Sequence, residues 1–143
     1  MKNKAPLPLM EQLIMILVFA LTAALCLQGF ALANRLSQCQ ETKEHAVIQA
    51  QNTAEQLKHT AGDYALAAKQ WGGFWDGHTW TIPYDTSWHV LTDGEDAVYT
   101  LQATPVTTGH PLLGSASIQV FHGRDILFEL TAAWQEGNPD EHP

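Results

Sequence analysis

The sequence predicts an α+β protein: a long N-terminal helix, membrane-spanning in its first half, whose second half packs against a small antiparallel β-sheet. Three observations predict this. The stretch from Leu13 to Ala33 contains no charged residue. Beyond it, apolar residues recur at steps of three and four as far as Tyr64. From Thr79 onward the period changes to short runs rich in β-branched and aromatic residues, separated by Asp/Gly-type turns.

At about 1.5 Å per residue the uncharged stretch is long enough to cross a hydrocarbon core of about 30 Å. Leu36, Cys39, Ala46, Val47, Ala50, Ala54, Leu57, Ala61 and Tyr64 continue one narrow stripe, with Gln40, Glu41, Glu44, Gln51, Asn52, Glu55 and Lys58 on the other side. No proline lies between Leu9 and Ile82, and Gly29 is the only glycine between Glu11 and Thr60. Nothing breaks the helix, which is expected from Pro8 to Thr60, about 80 Å at the standard rise. Gly62 followed by Asp63 reads as a helix C-terminal glycine and then the N-cap of a short helix, Tyr64 to Gln70, ended by Gly72-Gly73.

Strands are expected at Thr79–Ile82, Trp88–Leu91, Ala97–Ala103, Ser117–Phe121 and Ile126–Leu130. The connections between them are short, Asp93-Gly94-Glu95-Asp96 and His122-Gly123-Arg124-Asp125 among them, which favours an antiparallel meander. Such a meander has one apolar face and needs a cover. The sizeable apolar element outside the membrane segment is the stripe from Ala46 to Tyr64, so the second half of the long helix should supply it.

The 143 residues carry a formal net charge of -8, and Lys2 and Lys4 precede the apolar stretch, so the part beyond it is more acidic still. Nucleic acid and anionic lipid are poor partners for that surface. The two lysines also orient the span: the positive-inside bias puts the N-terminus in the cytoplasm and the head outside, in a single-pass protein of the cytoplasmic membrane or cell surface. Of the two cysteines, Cys26 and Cys39 lie about 20 Å apart along a continuous helix, beyond disulfide reach. Leu25 before Cys26 does not fit a lipoprotein signal, which needs a small residue there.

The segment Leu7-Pro8-Leu9-Met10-Glu11-Gln12-Leu13, followed by the unbroken apolar helix, resembles the N-terminal region of type IV pilins and type II secretion pseudopilins, closest to the divergent pilin-like proteins of Gram-positive bacteria. The resemblance implies a leader cut by prepilin peptidase before a hydrophobic first residue, a glutamate at the fifth mature position, and a small α+β head. Matching Glu11 to that glutamate places the candidate cleavage between Pro6 and Leu7. Pro6 stands where the peptidase prefers glycine, and Pro8, in the first turn, leaves the helix intact. In the family the glutamate attracts the N-terminal amine of a neighbouring subunit and so sets register, which is the role implied for Glu11. The implied partners are other pilin-like subunits, prepilin peptidase, a pilus assembly platform and membrane lipid. The chain then divides into a basic leader (1–6), a transmembrane pilin helix (7–34), its amphipathic continuation with a short second helix (35–71), a β head (72–135) and a tail (136–143).

Other readings compete with this one. Lys2 and Lys4, the apolar run Leu13 to Leu27 and Ala31-Leu32-Ala33 also describe an ordinary signal peptide cut before Asn34, leaving a secreted or membrane-tethered ligand-binding module. Five tryptophans, Trp71, Trp75, Trp80, Trp88 and Trp134, would suit a carbohydrate platform, but a minimal sheet also needs bulky rings in its core. The seven histidines are scattered, Glu55 with His59 being only a pair, so no metal or other cofactor is expected. Gly114-Ser115-Ala116-Ser117 lacks the second glycine of a nucleophile elbow, and Ser87 and His89 would alternate across a strand. No catalytic group is assigned, and the chain is expected not to be an enzyme.

Overall fold

The computed structural model describes residues 6–136. The leader as far as Ala5 and the tail from Gly137 lie outside the described residues. The chain forms two compact units, the first ending at Glu41 and the second beginning at Thr42.

Helix α1 (Pro6–His59) is continuous over 54 residues. Pro8 falls in its first turn, where the missing N–H has no intrahelical partner to lose, and the lone Gly29 is too weak a breaker to interrupt it. In the first unit every side chain from Leu7 to Glu41 is exposed. Leu36 and Cys39, expected at the start of the inward stripe, are among them.

In the second unit the stripe is buried. Ala46, Ala50 and Leu57 have no exposed surface and Ala54 has 5%. Thr53 joins them at 1%, its hydroxyl donating to the Gln49 carbonyl at 2.9 Å. Val47 is only half-buried and Ala61 is exposed. The helix ends in a reciprocal cap: Gly62 N–H donates to Leu57 O at 2.9 Å and Ala61 N–H to Lys58 O at 3.2 Å. Ala61, with φ 52°, therefore occupies the left-handed position expected of glycine, and Gly62 follows it at φ 82°. Helix α2 (Tyr64–Trp71) begins as expected, Asp63 accepting from Leu66 N–H at 3.0 Å.

Five antiparallel strands follow in sequential order, β1 (Phe74–Trp75), β2 (Trp80–Tyr84), β3 (Tyr99–Pro105), β4 (Leu113–His122) and β5 (Asp125–Gln135). The pairing aligns Trp80, Ala103, Ile118 and Leu130 in one row and Ile82, Leu101, Val120 and Phe128 in the next. These rows form the inner face. One position on, Thr81, Gln102, Gln119 and Glu129 make a polar row on the opposite face, the alternation expected of a sheet covered on one side. Ala46, Ala50, Ala54 and Leu57 share a core with Ala103, Ala116, Ile118 and Ala132, so small residues on both partners form the seam. The β4–β5 hairpin turns through Gly123-Arg124, with φ 63° at Gly123, as a two-residue turn with glycine first requires.

Two expectations about strands fail. Trp88–Leu91 is a loop whose backbone pairs with the sheet through a single bridge, Tyr84 to Val90. Asp85 is the cause: its Oδ1 accepts from Ser87 N–H at 2.8 Å and His89 N–H at 2.9 Å, curling the backbone and leaving Trp88 at φ 63°. Conversely Phe74–Trp75, not expected as a strand, pairs with Thr81 and Trp80. Gly73 makes this approach possible, since a side chain there would run into Thr81 O. The Trp80 indole then donates to Gly72 O at 2.9 Å.

Candidate functional site

Glu11 lies in the second turn of α1, and Leu7, four residues before it, is 68% exposed. Helical spacing makes Leu7, Ile14 and Met15 the neighbours of the Glu11 side chain. Among the described residues the first cation along the chain is Arg35, far from Glu11 on the same helix. Pro6 is the first residue of α1. Beyond Glu11 and Gln12 the helix presents apolar side chains all round: Leu13, Met15, Phe19, Leu25 and Phe30 are all more than 60% exposed. None of this apolar segment is buried, and the helix is long and apolar enough to cross a membrane. Thr22 fits because its hydroxyl donates back to the Val18 carbonyl at 2.8 Å, leaving no free polar donor.

Such a surface can do two things chemically. It can dissolve in lipid, or it can pack against other helices of the same kind, and a single carboxylate in it can take one cation. Cys26 and Cys39 are both exposed free thiols on this helix.

The second unit spends its aromatic residues on packing. Trp80 and Trp134 are buried, and Trp71, Trp75 and Trp88 are packed against the core in part. Trp88 lies flat on Tyr99 at 4.1 Å between centroids and stacks on His45 of α1 at 5.9 Å, with Tyr84 tilted against it at 5.7 Å. The strained backbone at Trp88 is thus held by a ring stack joining helix to sheet. Tyr84 reinforces that end, its hydroxyl reaching Gln49 Oε1 at 3.4 Å, and burial pushes its phenol up to about 12.

The polar groups weighed in the sequence are occupied structurally. Glu55 pairs with Lys58 at 3.0 Å, on an exposed turn. Ser115 donates to Ala132 O at 3.1 Å, tying β4 to β5. The Asp85 carboxyl is held below its ordinary range by the His89 N–H and then the Ser87 N–H, and the Asp76 carboxyl likewise by the N–H groups of Thr79 and His78. Among the described residues no three His, Cys, Asp or Glu side chains converge as a metal site.

Sequence reasoning passed over Tyr64 and Trp134 as polar residues. The Tyr64 hydroxyl and the Trp134 indole N–H are buried without a hydrogen-bond partner among the described residues. The signal available was the pair of glycines beside the indole: a side chain at Gly114 would run into Trp134, and one at Gly62, where φ is 82°, would press tightly on it.

No family model matches the chain, and neither the curated proteins nor the solved structures include a significant match to it.

Proposed function

We propose that this chain is a pilin-like subunit with a structural or assembly role in a type IV pilus, a competence pseudopilus or a type II secretion-like system. The observation that carries the reading is the division of labour along α1. Its first part exposes apolar side chains all round with Glu11 near its start, and its last part seals a small meander sheet through an alanine stripe. On this reading the apolar segment anchors the subunit in the cytoplasmic membrane before assembly, N-terminus inside and head outside, and packs against sibling helices afterwards. Glu11 meets the amine freed at Leu7 of a neighbour once prepilin peptidase has cut after Pro6. The chemistry is packing and one ion pair, so the chain acts without catalysis. A carboxylate left unpaired in lipid is costly, which gives the docking its direction.

A secreted binding module built on a tryptophan platform receives less support, because the tryptophan rings serve the core. The test is made on the protein from its native host. Intact mass should show a mature start at Leu7, and Cys39 should crosslink to partner subunits. Glu11→Gln should leave membrane insertion unchanged and reduce the crosslink severalfold. A mature start at Asn34, or undiminished crosslinking by the Gln variant of a cleaved chain, overturns the reading.

A further inference from the structure

The two edges of the sheet differ. β1 is two residues long and lies against α2, whereas β5 runs for 11 residues and pairs with β4 alone. Its pairing is regular from Phe128 to Gln135, the shift in register falling beside the hairpin. Neither lysine nor proline occurs in Asp125–Gln135, and those are residues that commonly keep an edge strand from pairing. We propose that β5 is a docking edge, which takes up an extended segment of a partner protein that alternates apolar and basic residues and adds it to the sheet as one more strand. This surface belongs to the second unit and does not rest on the role proposed for α1.

The backbone supplies the attachment. Glu136 N–H donates to Leu112 O at 2.9 Å, one step beyond the paired residues Leu113 and Gln135. The direction of bonding alternates along an antiparallel ladder, so the N–H and C=O groups of Glu129, Thr131, Ala133 and Gln135 point away from β4, toward the free side. The side chains of all four are exposed.

The rows of the sheet dictate the partner's residues. In the row Trp80, Ala103, Ile118 and Leu130 the first three have no exposed surface and Leu130 is half-buried. In the next, Ile82, Leu101 and Val120 are buried and Phe128 is again half-buried. Apolar residues opposite Leu130 and Phe128 would extend both rows and cover what the alanine stripe of α1 leaves open. Between these rows the polar one ends at the exposed Glu129, where a lysine or arginine on the added strand completes a cross-strand ion pair. Thr131, the next outward position, takes a threonine or serine.

Charge selects against other occupants. From Gly72 to Glu136 the chain has eight Asp and Glu residues, with Arg124 as its one Lys or Arg, so an acidic strand is repelled and a basic one drawn in. A second copy of β5 brings no basic residue to Glu129, because Arg124 lies outside the strand. The residues after Gly137, with Asp140 and Glu141, carry the wrong sign as well.

The experiment uses the full chain in non-ionic detergent micelles and follows the backbone amide resonances of Glu129, Thr131 and Ala133. The probe is acetyl-Val-Lys-Val-Thr-Val-amide, which, laid antiparallel to β5, sets its lysine opposite Glu129 and its threonine opposite Thr131. It should shift these resonances saturably and slow their hydrogen exchange. Glutamate in place of the probe's lysine should weaken binding about fivefold. Proline in place of its threonine keeps the charge, removes the N–H that would meet Thr131 O, and should weaken binding at least as much. Glu129→Lys, at an exposed position, should reverse the preference in favour of the glutamate peptide. Absence of a saturable shift overturns the proposal. So does equal binding of the lysine and glutamate peptides, undiminished binding of the proline peptide, or an unreversed preference in a folded Glu129→Lys protein. The same resonances shifting with protein concentration alone would overturn it in favour of a second copy.

Discussion

Phe30 and Leu57 belong to the same helix, yet one is 78% exposed and the other has no exposed surface at all. The backbone is the same in both places, and so is the class of side chain. What differs is the partner: from Thr42 onward the helix contributes to a core shared with the sheet, whereas from Leu7 to Glu41 every described side chain is exposed. Helix formation and burial are therefore separate problems in this molecule. The second unit solves burial with its own sheet. The first unit brings apolar surface on all sides, on a helix long and apolar enough to cross a membrane.

The comparison can be broken most forcefully at the seam. Leu57→Ala should lower the stability of the head by about 2–5 kcal/mol, read as a drop in melting temperature by near-ultraviolet circular dichroism of the micelle-bound chain. Glu55→Ala, two residues away, removes only an exposed pair with Lys58 and should change stability by less than about 0.5 kcal/mol. Equal effects of the two would mean that the inward face is wrongly assigned.

A charge placed on each half sharpens the contrast next. Leu21→Arg should raise the cost of membrane insertion by about 2.5–3.5 kcal/mol and shift the chain out of the membrane fraction. Ile48→Arg, at a position 48% exposed in the second unit, should leave that fraction unchanged. If Leu21→Arg partitions as the parent does, the first unit is not held in lipid.

The smallest effect concerns the loop that carries Trp88. Asp85 is held below its ordinary range, about 3.9, by backbone N–H groups, so the stability it contributes is present above that pH and is lost as pH falls through its lowered value. Asp85→Asn should therefore flatten the decline in melting temperature below pH 4 while leaving β3 to β5 intact. A variant whose acid profile matches the parent's would show that the carboxylate does not hold the loop.

Which parts were legible in the sequence follows from the range of the interactions that set them. The continuous helix, the Asp63 cap and the Ala46–Leu57 seam depend on spacing within a few residues, and each was readable. Trp88–Leu91 looked like a strand because its side chains favour one, but Asp85 competes for the backbone N–H groups, and a side chain that collects two donors outweighs propensity. Phe74–Trp75 is too short to show any period. The ends of β4 and β5 run past the expected strands because Gly114, Ser115 and Ala116 give no β signal of their own and are held by pairing with Ala132, Ala133 and Trp134. Glu11 was legible as a lone charge at the edge of an apolar run. That Phe128 and Leu130 stay half-buried at the free edge was not, because how far the alanine stripe reaches across the sheet is set only by the fold.

The strand order has a kinetic side. Every strand pairs only with its sequence neighbours, so the sheet can zip hairpin by hairpin with small loop-closure costs, which is the topology of fast folders. The contact that spans the head is a late one. Trp134, near the end of β5, must settle against Gly62, beside the first helix terminus, before the core is complete. During synthesis the sheet can accordingly begin to form while the chain is still short, but the head locks only when its last strand has emerged.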